Sequence, residues 1–147
     1  MKIGHDFVPA AVLILSWAAG GPVAAQPPVS QDQGGVLRAY AADVARLNRA
    51  RQEKRIAGLC ASACTLYLGV DKVCIEPTAQ VWFHAAFRPG DAQPDRAGSL
   101  EMLSYYPLAV RRWAIRSAAL EQTGWDPAHR LTGQQLIAMG VRQCPGP

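Results

Sequence analysis

Gly58-Leu59-Cys60-Ala61-Ser62-Ala63-Cys64-Thr65 is the densest segment of the chain, and its reading decides the fold. Small residues fill it, and it runs directly into Leu66, Tyr67 and Leu68. That order predicts a strand handing over, at a sharp turn, to a buried helix. Just upstream, residues 54–58 (KRIAG) form a short strand candidate. Further back, Gly34-Gly35 opens a helix in which Val36, Leu37, Tyr40, Val44 and Leu47 recur at near-helical spacing. Arg38, Asp43, Arg46 and Arg49 take its other face.

Downstream, residues 73–75 read as a second strand, ended by Pro77, and residues 80–84 alternate as a third. Residues 88–98 hold Gly and Pro breaks with two Asp, and read as a loop. Residues 100–122 are expected to be helical, with Leu103, Tyr106, Val110, Trp113 and Leu120 toward the core. Pro107 should kink that helix or divide it. Residues 124–127 form a turn, and Thr132 is an N-cap for a short helix through Met139 that Gly140 stops. Residues 141–144 are read as a last short strand. The alternation of strands and helices argues an α/β fold.

The chain has 147 residues, half of them hydrophobic and 18% charged, which suits one globular domain. This balance excludes a disordered chain, a collagen-like repeat and a polytopic membrane protein. The net charge of +4 is scattered, and the lysines are limited to Lys2, Lys54 and Lys72. No basic run tracks a phosphate backbone, so no nucleic-acid partner is expected.

Residues 1–25 have the layout of a secretory signal peptide. Lys2 gives a positive start, residues 7–19 carry no charge, and Val23-Ala24-Ala25 supplies the small residues before a cleavage at Gln26. The competing reading is an uncleaved anchor, but a span needs about 20 apolar residues. After cleavage no membrane association is expected, and the protein would be exported, periplasmic or secreted. Residues 26–33 read as an extended N-terminal arm and residues 34–147 as a single domain.

Export changes the meaning of Cys60, Cys64, Cys74 and Cys144. An even number of cysteines in an oxidising compartment suggests two disulfides, with three pairings open. Zinc is the alternative, but Cys-x3-Cys is not the usual Cys-x2-Cys knuckle and no second close pair exists. Neither a metal nor a cofactor is expected.

A hydrolytic nucleophile needs a hydroxyl on a sharp turn, a base within reach and backbone N–H groups aimed at the oxyanion. Ser62 stands where the strand meets the helix, and His84 ends a strand 22 residues later. Gly34-Gly35 lets backbone approach a substrate closely. Each has an ordinary structural reading as well, a cap for the Ser and a packed strand end for the His. Trp82, Phe83 and Phe87 beside His84 are candidates for an apolar pocket, or simply core.

Taken together, these blocks resemble the Clp protease proteolytic subunit and its wider Clp/crotonase superfamily. The likeness is closest to small exported Clp-like bacterial proteins with a Cys-x-Ser-Ala-Cys turn. Gln33-Gly34-Gly35 looks like the family's Pro-Gly-Gly oxyanion turn, and residues 58–64 look like its Gly-x-Ala-Ala-Ser-Met-Gly nucleophile turn. Residues 72–84 (KVCIEPTAQVWFH) look like its strand, Pro turn and strand ending in the catalytic His. Residues 131–141 (LTGQQLIAMGV) look like its closing helix and strand. The likeness covers residues 33–144 and implies a shortened, disulfide-stabilised ββα superhelix.

The resemblance implies Ser62 as nucleophile, His84 as general base, and the N–H groups of Gly34 and Ala63 as the oxyanion hole. In the family an Asp precedes the closing Leu-Ser by a fixed step. Here that step falls on Ala128, and Asp126, two residues away, becomes the candidate third member through a small loop shift. Without it the site is a Ser62–His84 dyad. The family's strand before the Gly-Gly turn is expected to be absent or very poor in residues 26–33. The family fold also implies the cysteine pairing: its closing strand lies near the strand after the nucleophile helix, which sets Cys144 beside Cys74 and leaves Cys60 with Cys64.

The function implied is a serine hydrolase, a peptidase or esterase, taking a peptide or small ester. Homo-oligomers are implied too, because Clp-like proteins form rings and a truncated sheet leaves an edge to cover. The alternatives are a non-catalytic Clp-like module that binds a peptide or protein partner, and a disulfide-rich structural protein of unrelated fold.

Overall fold

The computed structural model describes residues 31–146, so the expected leader and residues 26–30 of the arm lie outside the described residues. At its centre, β3 (Leu59–Ala61) passes without a linker into a 3₁₀ helix, Ser62–Gly69. Ala63, Cys64, Thr65, Leu66, Tyr67 and Leu68 of this helix are all buried. A helix with no polar stripe has to be covered on every side. Here α1 (Leu37–Arg49) and α2 (Arg96–Tyr105) supply much of that cover.

Four of the short strands fall into two repeated units. The first unit runs β2 (Lys54–Ile56), β3 and the 3₁₀ helix, and the second runs β4 (Val73–Ile75), β5 (Gln80–Trp82) and α2. In each unit the first strand joins one sheet and the second joins the other. β2 and β4 pair in parallel, and β3 pairs with β5 in parallel in a four-stranded sheet of order β1-β3-β5-β6. β6 (Arg130–Thr132) closes that sheet antiparallel to β5, so the sheet is mixed. The protein is therefore mixed α/β. Cys60, Ala61 and Val81 lie inside with at most 1% exposure, since this sheet is covered on both faces.

The arm carries a very poor strand, within what the sequence reading allows: β1 (Gln31–Asp32) pairs in parallel with Leu59 and Cys60. It is two residues long, but it joins the central sheet. β6 was not expected, because Arg130-Leu131-Thr132 carries too little pattern to read alone. Residues 141–144 form no strand. Gln143 makes a single parallel bridge to Ile75, and Cys144 N–H donates to Ile75 O at 3.0 Å.

The long helix is divided at Pro107, which caps α3 (Leu108–Arg116) and leaves Tyr106 extended at ψ 138°. α2 begins earlier than expected, because Asp95 Oδ1 accepts the N–H groups of Ala97 and Gly98. Thr132 caps α4 (Gly133–Ala138) in a reciprocal box with Gln135. Cys60 pairs with Cys64, and Cys74 pairs with Cys144. The second bridge spans 70 residues and anchors the C-terminal segment to β4. Among the described residues, no helix is long and apolar enough to cross a membrane.

Candidate active site

Ala61 ends β3 in an extended conformation, and Ser62 then takes φ +57°. An L-residue there costs roughly 1–2 kcal/mol, so the surroundings must impose it. Thr65 Oγ1 donates to Ser62 O at 2.7 Å. Its one proton is thereby used, so Tyr106 donates its own hydroxyl to Thr65 across 2.7 Å of core. Burial pushes the Tyr106 pKa well up, which keeps that donor protonated.

Gly34 presses on the same turn from the β1–α1 connection. A Cβ at Gly34 would stand 2.6 Å from Ser62 Cβ, 2.7 Å from Ala61 O and 2.8 Å from Ala63 N, and its φ is +84°. Only glycine permits this approach. The Gly34 N–H, however, donates to Asp32 Oδ1 at 3.0 Å, and the Tyr40 hydroxyl donates to the same oxygen at 2.6 Å. This corrects the expectation that Gly34 supplies an oxyanion donor: its N–H is already used to close the turn. The next N–H groups, those of Gly35 and of Ala63, have no hydrogen-bond partner among the described residues. Asp32 and Tyr40 are thus site residues that the sequence reading missed, and Gly35, read there as part of the Gly-Gly turn, is the one whose N–H is left open. The signal was present as Asp-x-Gly, an acid poised to fold back on the N–H two residues ahead.

His84 follows β5 and is 4% exposed. Its Nδ1 lies 2.8 Å from the Ala85 carbonyl. A carbonyl can only accept, so Nδ1 donates this bond, and in the neutral ring Nε2 then carries the lone pair. The segment is pinned on both sides. Ala85 N–H donates to Gln122 O at 2.8 Å, and Ala86 N–H donates to Ser99 Oγ, on α2, at 3.0 Å. Gly98 packs so closely on Ala86 that a Cβ there would be 2.8 Å from the Ala86 methyl.

Ser62, Ala63, His84, Gly34 and Gly35 line one cavity of ≈ 830 Å³. Val36, Leu37, Phe87, Met102 and Trp125 make much of the rest of its wall apolar. Ser62 and His84 share this space but no hydrogen bond joins them in this structure.

Asp126 is elsewhere. Its Oδ1 accepts the Ala128 N–H at 2.8 Å, capping the 3₁₀ turn Pro127–His129, and its Oδ2 accepts from Gln122 Nε2 at 2.9 Å. Oδ2 is also 4.0 Å from His129 Nδ1. These bonds, led by the one from Ala128, hold its carboxyl below the usual range. The expected Asp126–His84 pairing is therefore not made, because Asp126 is committed to its own turn. His129, buried at 7% exposure, uses Nε2 on Ser117 O at 2.9 Å and receives Gln122 at Nδ1. It is a packing histidine that ties three segments together. Cys60 and Cys64 flank the turn, while Cys74 and Cys144 lie outside the cavity lining. Among the described residues, no cluster of three or more His, Cys, Asp or Glu is placed to hold a metal ion. No protein-family model matches the chain, and no curated protein matches it.

Proposed function

We propose that the protein is an exported serine hydrolase of Clp-like architecture, with Ser62 as nucleophile and His84 as general base. The observation that carries this reading is Ser62 held at φ +57° where a strand meets a helix, inside a cavity it shares with His84. A strained, half-buried hydroxyl that lines a cavity at such a junction suits acyl transfer. The repeated unit that sends one strand to each of two sheets supports the superhelix reading. The two disulfides support export.

In this mechanism His84 Nε2 takes the Ser62 proton as Oγ attacks an acyl carbon. The oxyanion then meets the N–H groups of Gly35 and Ala63. Proton return to the leaving group gives an acyl-enzyme, which water cleaves by the same steps in reverse. The Ser62 hydroxyl must turn onto His84 when substrate enters, as catalytic hydrogen bonds commonly tighten only in the complex. The Ala85 carbonyl fixes the tautomer that an Asp fixes in a triad, but it carries no full negative charge to stabilise the imidazolium. A small ester is therefore the first substrate class, since its leaving group asks less of the acid than a peptide amine does.

The second reading is a binding module that holds a peptide in the same cavity without chemistry. The unmade Ser62–His84 bond favours it. A fluorophosphonate probe on the folded, disulfide-intact protein separates the two, run beside Ser62→Ala and His84→Ala. Labelling that both substitutions abolish establishes the hydrolase, and a folded wild type that stays unlabelled leaves the binding module.

A further inference from the structure

Ser62 sits inside the smaller of the two disulfide-closed loops. Cys60 ends up in β3, Cys64 in the first turn of the 3₁₀ helix, and the bridge between them brings their Cα atoms to 5.4 Å. Both are buried, at 1% and 3% exposure, beneath the serine. The other bridge spans 70 residues. None of the four cysteines lines the cavity, but Cys60 and Cys64 enclose two residues that do, Ser62 and Ala63. A crosslink over a separation of four constrains the unfolded chain far less than one over 70. What the short ring does constrain is the backbone between its ends, and Ser62 is its middle residue with the one unfavourable φ in the segment.

Resting on the hydrolase reading, we propose that the Cys60–Cys64 disulfide is a positioning device for the nucleophile. It holds the Ser62 backbone at positive φ so that Oγ projects into the cavity and the Ala63 N–H faces the oxyanion. The Thr65 hydrogen bond and the Gly34 contact define the same turn from outside the ring, but neither links the strand to the helix covalently. The two bridges therefore divide their work. Cys74–Cys144 holds the fold closed, and Cys60–Cys64 sets the site.

The test compares Cys60→Ala/Cys64→Ala with Cys74→Ala/Cys144→Ala, each assayed as full mature protein at a temperature where circular dichroism shows it folded. The fluorophosphonate reaction is resolved into kinact and KI across pH. For the Cys60/Cys64 variant the expected result is a kinact lower by about 10–100-fold, the effect of misplacing a reacting atom by an ångström or less. Its KI and the midpoint of its pH profile stay with the wild type, since the cavity wall and His84 are untouched. The Cys74/Cys144 variant labels at the wild-type rate while losing stability. Wild-type kinact in the Cys60/Cys64 variant overturns the proposal, and so does an equal fall in both variants.

Where the Cys60/Cys64 variant does not fold, the wild type is opened with a dithiol and closed again with oxidised glutathione, and the bridges are mapped by alkylation at each stage. Labelling that falls and returns with the Cys60–Cys64 bridge supports the proposal. Labelling that persists with that bridge reduced overturns it. A wild type that never labels sinks the hydrolase reading itself and this inference with it, a result distinct from all the others.

Discussion

Replacing Gly34 by Ala places a methyl group where the β1–α1 turn already touches the Ser62 turn. Two costs follow and they can be separated. The first is conformational: φ is +84°, where an L-residue loses roughly 1–2 kcal/mol. The second is steric: the new Cβ meets Ser62 Cβ, Ala61 O and Ala63 N at 2.6–2.8 Å. Two of those atoms are backbone and cannot rotate away, so the turn itself has to lift off β3. Overpacking of this kind typically adds about 1–3 kcal/mol. Gly140→Ala isolates the first cost, because Gly140 has φ +96° and nothing within 4 Å of its would-be Cβ. At about 4 °C per kcal/mol for a domain of this size, Gly34→Ala should melt about 4–12 °C below Gly140→Ala. The displaced Gly35 N–H should also slow fluorophosphonate labelling by about 10²-fold, while Gly140→Ala labels normally. Equal melting temperatures for the two variants, with labelling retained, would refute the close approach of this turn to Ser62.

Asp32→Ala removes the acceptor shared by Gly34 N–H and Tyr40 Oη, so labelling should slow, and Asp32→Asn should recover most of it because its amide oxygen still accepts both. Asp126→Ala should lower thermal stability by freeing the Pro127–His129 turn and yet leave labelling unchanged, which a triad member would not do. Stability should fall at both pH extremes. The hydrogen bond from Arg46, with that from Tyr67, holds the Asp43 carboxyl below its usual range, so its contribution is present above the ordinary carboxylate pKa and lost as pH falls through the folded one. Asp43→Asn should flatten that acid limb in urea titrations. Burial and then Asp43 push the Tyr67 pKa from 10.0 up to about 12, so stability present below pH 10 is lost as pH rises toward 12. Phenolate absorbance and unfolding should rise together there.

The elements that could be read ahead of the structure are those whose signal is local. The small-residue run at 58–65 declares a crowded junction whatever surrounds it, and Pro107 divides its helix through its own ring. The Thr132 cap is equally local. What escaped depended on partners. Arg130-Leu131-Thr132 is a strand only because β5 offers it three positions of register. Gly34 was the right residue for the close approach, but which N–H stays free is decided by the Asp32 side chain. The family's step along the chain falls on Ala128, and Asp126 stood in only as the acid two residues away, although Asp-Pro is itself the signature of a capped turn, with the acid accepting the next free N–H. That local commitment leaves no Asp126 bond to His84.

The convergence of the site follows from the sheet order more than from any one residue. β1, β3 and β5 are neighbours and parallel, so their C-terminal ends open on the same edge. Ligand sites in parallel sheets form beyond that edge, where the chain leaves each strand and its loops are free to carry chemistry. Gly34-Gly35 leaves β1 there, Ser62 leaves β3, and His84 leaves β5. β6 runs the other way, so the chain enters it at this same edge, with Arg130 opposite Trp82. The connection feeding β6 therefore becomes the wall of the cavity, bringing Thr123, Gly124 and Trp125 to it, and Trp125 packs against Trp82 at 5.2 Å. The same connection sets Asp126 at the cap of the Pro127–His129 turn, where it faces His129 at 4.0 Å and not His84. How the last strand enters the sheet thus decides which side chains wall the cavity and which, like Asp126, cap their own turn.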